Sequence, residues 1–305
     1  MNERDTVTIF GASGFLGRHL ISVIAKSGAK INLVTRSALL NNEKLLYGSA
    51  GQIVQIKFSD NREVLKNIVS GSSYVVNLIG TLTCNEKELE YANVSVPRKI
   101  AEVAKHAKVK RFLHVSTLVG DNLKLKSCYI KSKLKGESAI LNELHDAIIL
   151  RPSLMFDNGS GFLGMIIKLA KFLPIIPVVG GDKLKLQPIY VHDVALCIYN
   201  ALTLQCSKSV CGRPIAIAGT HIYSIKEIVD IVLKHNGVNR VTVNIPAWLV
   251  SIKAFILWKL GLLKITTEHV KIFTANNILA KGENGLYELC TSPTPIDLLH
   301  NLILR

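Results

Sequence analysis

Residues 6–20 read T-V-T-I-F-G-A-S-G-F-L-G-R-H-L, and the order of events within them decides the fold. A short apolar run, Val7–Phe10, gives way to glycines spaced G-x-x-G-x-x-G, and helical periodicity starts at Leu16. With 21 glycines in 305 residues that spacing would arise about 0.1 times by chance, and here it falls at a strand-to-helix turn. Each glycine answers a separate need at such a turn. Gly11 permits the tight bend, Gly14 lets backbone approach a pyrophosphate, and Gly17 lets the helix pack close to the strand. The helix start adds free N–H groups and partial positive charge. Gly11, Ser13, Gly14, Phe15, Leu16, Gly17 and Arg18 are therefore the candidate phosphate-binding turn, with a purely structural glycine turn as the other reading.

The pattern extends outward from this turn. Further apolar runs occur at Ile31–Val34, Ile53–Ile56, Tyr74–Leu78, Phe112–Val115 and Ala147–Leu150, separated mostly by helical periodicity at Leu16–Lys26, Glu63–Val69 and Asn93–Ala107. Strands alternating with helices imply right-handed crossovers and a parallel sheet covered on both faces. After Arg151-Pro152 the pattern loosens, punctuated by Pro174, Pro177, Gly180-Gly181 and Pro188. Helical pieces are expected near Asp193–Thr203, Ser224–His235, Ala247–Leu260, Thr267–Phe273 and Ile296–Leu304. The expected class is α/β: a Rossmann-type doubly wound parallel sheet over 1–150, then a smaller, mostly helical C-terminal lobe over 151–305, interleaved with the last sheet elements.

The end of the second strand bears on which nucleotide such a turn would take. A carboxylate there would bond the ribose hydroxyls of NAD. This chain has Val34-Thr35-Arg36-Ser37, with no acidic residue before Glu43. Arg36, helped by Arg18, suits a 2′-phosphate, which favours NADP(H) over NAD(H). Asn77 and Gly80, in N-L-I-G at the end of the fourth strand, fall at the sheet edge where ligands bind and are further candidate cofactor contacts; a plain strand terminus is the alternative.

Composition excludes several classes. The net charge of +15 is spread along the chain, without a basic tail or an aromatic stacking cluster, so nucleic acid is a poor fit and a lysine-biased solvated surface is the simpler reading. Cys84, Cys128, Cys197, Cys206, Cys211 and Cys290 form no C-x-x-C and no cluster with histidine, which argues for reduced thiols and against a metal site. The first strand begins near Thr6, leaving no room for a leader, and the one run of 18 or more residues free of charge, 67–85, is broken by asparagines, serines and threonines, so a spanning helix is not expected. These features point to a cytoplasmic protein, at the inner face of a bacterial membrane if membrane-associated, with a processed mitochondrial chain on the matrix side as the other placement. Ala247–Leu263, A-W-L-V-S-I-K-A-F-I-L-W-K-L-G-L-L, could lie on a membrane surface or partner, or pack as an ordinary lobe helix.

Residues 127–137 read S-C-Y-I-K-S-K-L-K-G-E and place Tyr129 four residues before Lys133. With 8 tyrosines and 27 lysines, roughly one Y-x-x-x-K is expected by chance, so position must give the spacing its meaning. It follows the fifth strand, with V-S-T at 115–117 just before it. On a helix the two side chains share one face.

These ordered motifs, with Arg151-Pro152 and Q-P-I-Y-V-H-D-V at 187–194, resemble the extended or atypical short-chain dehydrogenase/reductases, a family of NAD-dependent epimerase and dehydratase type. Within it the chain most resembles the NADPH-binding accessory subunit of respiratory complex I and its bacterial relatives. The resemblance runs through R-F-L-H-V-S, R-P-S-L-M-F-D at 151–157, T-T-E-H-V-K-I-F at 266–273 and P-T-P-I-D-L-L at 293–299. It implies a catalytic role for Tyr129 as general acid or base. Lys133 would hold the nicotinamide ribose and favour the phenolate, and Ser116 or Thr117 would orient a substrate. Two departures stand out. Thr117 and Tyr129 are only twelve residues apart, about half the usual substrate-contacting loop, and Phe58-Ser59-Asp60 replaces the usual adenine-contacting acid. The resemblance therefore implies either an accessory or assembly protein holding NADP(H) structurally, docked on complex I subunits or a membrane surface, or an active NADP-dependent reductase or epimerase.

Overall fold

The computed structural model describes residues 1–36, 52–119, 127–157, 161–203, 210–245, 271–272, 274–280, 282–289 and 293–296. Seven strands, numbered in chain order, form one parallel sheet: β1 (Thr6–Phe10), β2 (Lys30–Thr35), β3 (Ile53–Lys57), β4 (Tyr74–Asn77), β5 (Arg111–Val115), β6 (Ile148–Pro152) and β11 (Pro214–Ile217). Their spatial order is β11-β6-β5-β4-β1-β2-β3. Order reverses between β1 and β4, so the crevice for a ligand lies at the carboxyl ends of those two strands.

The strands read as apolar runs because both faces are covered. On one side α1 (Phe15–Ala25) and α7 (Val191–Thr203) enclose Leu20, Ile24, Leu33, Val76, Leu113 and Ile198. On the other, α2 (Arg62–Val69), α4 (Val96–His106) and α5 (Cys128–Glu143) cover Phe10, Leu65, Val75, Ile100, Phe112 and Ile149. The six expected strands and the first two expected helices lie where the periodicity put them. The helix expected over Asn93–Ala107 starts earlier, as α3 (Glu86–Glu90), and passes through a π-helical turn at Tyr91–Ser95 before α4. Asn85 caps α3 by accepting from the backbone N–H groups of Lys87 and Glu88. The polar N-E-K-E-L-E stretch has no apolar stripe to betray that start.

Beyond β6 the chain adds more than the expected helices. β7 (Met155–Phe156) pairs with β10 (Ile189–Tyr190), β9 (Lys185–Leu186) with β12 (Tyr223–Ser224), and β8 (Ile175–Val179) with β13 (Val241–Ile245). Helix α6 (Gly161–Phe172), absent from the sequence expectations, and α8 (Ile225–His235) enclose a third cluster with Phe156, Leu163, Ile176, Val178 and Ile228. Ser224 opens α8 with a capping box: its hydroxyl accepts from Glu227 N at 3.1 Å, and the Glu227 carboxylate accepts from Ser224 N at 2.6 Å. Ser37, Glu43, Ala247–Leu263, nearly all of 266–273 and the end of Pro293–Leu299 lie outside the described residues. Among the described residues no helix is long and apolar enough to cross a membrane.

Candidate functional site

The glycine turn is built as its spacing requires. Gly11 has φ +78°, and a Cβ there would stand 3.0 Å from the Leu78 backbone, so β1 and the segment after β4 meet at a position open only to glycine. A Cβ on Gly17 would come within 2.2 Å of the Ala12 carbonyl oxygen, which sets how closely α1 approaches β1. A cavity of about 380 Å³ opens over this turn, lined by Gly11, Ser13, Gly14, Arg36 and Gly80, with Phe58 and Tyr91 on its adjoining walls. The other candidates of the turn are placed differently. Leu16 and Gly17 are buried, Phe15 packs against the core with its ring edge-on to His19, and Arg18 is exposed outside the cavity lining.

Two acidic groups surround this end. Glu88 of α3 lines the same cavity as Arg36, a neighbour that sequence reading missed. Asp60 accepts from the Tyr91 hydroxyl at 3.0 Å and lies 3.7 Å from the Lys99 ammonium. Phe58, edge-on to Phe10, supplies the apolar wall there.

Asn77 is fully buried and does not line the cavity. Its amide accepts from Ile79 N at 3.0 Å and donates to His114 Nδ1 at 3.0 Å, so it shapes the backbone that forms the cavity wall. That bond leaves the His114 proton on Nε2, which has no partner among the described residues. Burial first, then the nearby Lys133 charge, hold His114 well below the usual imidazole range. Gly80 is the hinge between cavity and helix: a Cβ there would stand 3.3 Å from both Asn93 Oδ1 and Lys133 Nζ.

Helix α5 carries the second half of the site. Ser127 caps it by accepting from Ile130 N at 3.3 Å. Tyr129, Lys133 and Glu137 then follow at successive four-residue steps on one face. Lys133, 3% exposed, donates to the Val115 carbonyl at 3.0 Å. Burial lowers its pKa to about 8, with Glu137 acting the other way. The Tyr129 phenol is hydrogen-bonded to Thr117; burial raises its pKa, and the Thr117 bond opposes the rise. The Lys133 ammonium is turned onto a backbone carbonyl in this structure.

Ser116 and Thr117 part company. While Thr117 meets Tyr129, the Ser116 hydroxyl donates to Glu137 Oε1. Glu137, 3% exposed, also receives a guanidinium fork from Arg151, with Nε at 2.9 and 3.1 Å and Nη2 at 2.5 Å. The sequence held a signal for Glu137, which continues the Tyr129–Lys133 spacing. It held none for Asn93. That side chain, fully buried in the π-helical turn, accepts from Thr81 N at 2.9 Å and donates to Thr81 O and Ser132 Oγ at 3.0 and 2.9 Å. The cavity thus offers the glycine turn and a guanidinium, while Tyr129 and Lys133 on α5 lie outside its lining, with Lys133 reaching it next to Gly80. Among the described residues no group of three or more His, Cys, Asp or Glu is placed to hold a metal ion.

Comparison with known proteins places this geometry in a family. The model of the NmrA-like family matches residues 3–266. The expected likeness to the complex I subunit is found: NADH dehydrogenase [ubiquinone] 1 alpha subcomplex subunit 9 of Rattus norvegicus is 29% identical over 308 residues, covering 98% of this chain and 79% of that one. The ceramide reductase of Caulobacter vibrioides is 27% identical over 201 residues, covering 64% and 60%. Among solved structures, UDP-glucuronic acid 4-epimerase from Bacillus cereus in complex with UDP-glucuronic acid and NAD shares the fold at TM-score 0.68 and 20% identity, over 79% of this chain and 86% of that one. With the match running through most of its length, the chain belongs to the NmrA-like family.

Proposed function

We propose that this protein binds NADP(H) in the cleft at the carboxyl ends of β1 and β4 and holds it as a structural element, as an accessory or assembly-type subunit of a complex I-type NADH:ubiquinone oxidoreductase. The residues present fit the nucleotide. The glycine turn lines the cavity at the start of α1, where a helix N-terminus suits a pyrophosphate, and Phe58 gives an apolar wall. Arg36, with no carboxylate on its own strand end, suits a ribose 2′-phosphate. Lys133, beside Gly80, would hold the nicotinamide ribose. When bound, the nucleotide supplies hydride chemistry; this chain's own residues bind it, orient it and exclude water. The accessory role draws on the similarity to the complex I subunit over 98% of the chain.

The observation that carries the structural reading is the commitment of Ser116 to the buried Glu137–Arg151 pair. The reading with turnover has one observation in its favour, the Thr117–Tyr129 hydrogen bond, which pairs two hydroxyls at the start of α5. It is supported also by the likeness to a reductase. In that reading Tyr129 gives or takes the proton at a substrate carbonyl or alcohol, with Thr117 orienting it. Tyr129→Phe separates the two. The structural reading expects unchanged nucleotide content and unchanged association with complex I subunits in the native membrane. Loss of NADPH oxidation with added carbonyl substrates, while nucleotide still binds, would establish turnover instead.

A further inference from the structure

The turn from α6 into β8 exposes five consecutive residues, Lys171-Phe172-Leu173-Pro174-Ile175. Phe172 is 85% exposed, Ile175 51% and Leu173 38%. In the parallel register Ile175 lies opposite Val241, and Pro177 opposite Val243. Val241 and Val243 are exposed too, whereas Ile176 and Val178 point into the third core cluster. Five of the ten large exposed apolar side chains among the described residues therefore share this turn and the outer face of one strand pair. An apolar face that the fold gathers rather than scatters marks a contact surface.

Its surroundings are cationic. Lys168 and Lys171 lie on the last turns of α6, and Arg240 is fastened to the end of that helix by a 3.0 Å bond from Nε to the Ala170 carbonyl. Arg240 and Lys234 also line a groove of about 670 Å³ running along Pro174 and Val241, in which Asp230 is the one acidic side chain among the described residues.

We propose that this surface is a peripheral membrane-docking site for an anionic lipid bilayer. An aromatic and aliphatic turn standing out from the lobe suits shallow insertion among acyl chains, and the lysines and arginine at its base suit the headgroups. Charge complementarity selects this occupant: the rim is basic and the chain carries +15 overall. The site lies on the β8–β13 pair, shares no lining residue with the nucleotide cleft, and does not depend on the nucleotide reading.

The test is flotation of the full chain with vesicles of phosphatidylcholine alone and of phosphatidylcholine mixed with phosphatidylglycerol. The wild type floats with the anionic vesicles only. Phe172→Ser with Ile175→Ser, and separately Lys168→Glu with Lys171→Glu, each lower that binding about tenfold. Thermal unfolding and nucleotide content of both variants stay at wild-type values, because all four positions are exposed. The proposal is overturned if the wild type stays down with anionic vesicles, as expected of a surface that takes a protein partner. It is overturned equally if either double variant floats like the wild type.

Discussion

Lys133 shows how a single residue can record the state of the cleft. Its amine is buried without a carboxylate in direct contact, and its pKa falls to about 8 from an ordinary 10.5. Below pH 8 both folded and unfolded chains hold this proton, and the folded state bears the cost of a buried charge. Between about 8 and 10.5 the unfolded chain holds more of it, so stability rises with pH through that window. Urea unfolding of the nucleotide-free protein should show the wild type gaining on Lys133→Met by on the order of 3 kcal/mol between pH 7 and 10.5. Parallel curves for the two proteins would mean that the amine is solvated. Glu137 makes the complementary case. Glu137→Gln leaves Arg151 facing a neutral amide in a buried setting, and chemical denaturation should register a loss of about 3 kcal/mol, reduced when Arg151→Met is added. If the double variant is no better than the single one, the fork does not act as a pair.

At the scale of elements, the site depends on how α5 meets the π-helical turn. A Cβ on Gly136 would stand 1.9 Å from the Asn93 carbonyl oxygen, so Gly136→Ala must push α5 away from Tyr91–Ser95. Overpacking of this kind costs about 1–3 kcal/mol, and here it also disturbs the Asn93 links to Thr81 and Ser132. The variant should show both a lower denaturation midpoint and weaker NADPH binding by fluorescence titration; loss of stability without loss of binding would separate the π turn from the cleft. This contact explains what could be read in advance and what could not. Strands buried on both faces announce themselves as apolar runs, and the glycine turn announces itself because its steric needs recur at fixed spacing. That Tyr129 and Lys133 share one helix behind β5 was legible from their spacing and position. Asn93 was not, because a π turn has no local signature in Y-A-N-V-S, and its partners Thr81 and Ser132 are distant in sequence. The pairing of Ser116 with Glu137 was equally hidden, since adjacent hydroxyls at a strand end can turn to different partners. Helix α6 escaped because the glycines and prolines around it read as loop.

For the whole molecule, the nucleotide is proposed to act as part of the architecture. It would bridge the glycine turn, the end of β2 and the start of α5, joining segments far apart in the chain. NADPH at 100 times its dissociation constant should stabilise the fold by about 2.7 kcal/mol, and NADH less. Arg36→Ala should weaken NADPH binding about tenfold by calorimetry and leave NADH nearly unchanged; equal losses for both would remove the 2′-phosphate from the account. The most direct measurement is the nucleotide carried by the native protein, purified and extensively dialysed, then identified by mass spectrometry before and after acid denaturation. A structurally held cofactor predicts close to one NADP(H) per chain, released only on denaturation. A protein that emerges empty, or that exchanges its nucleotide freely while still folded, would contradict the account.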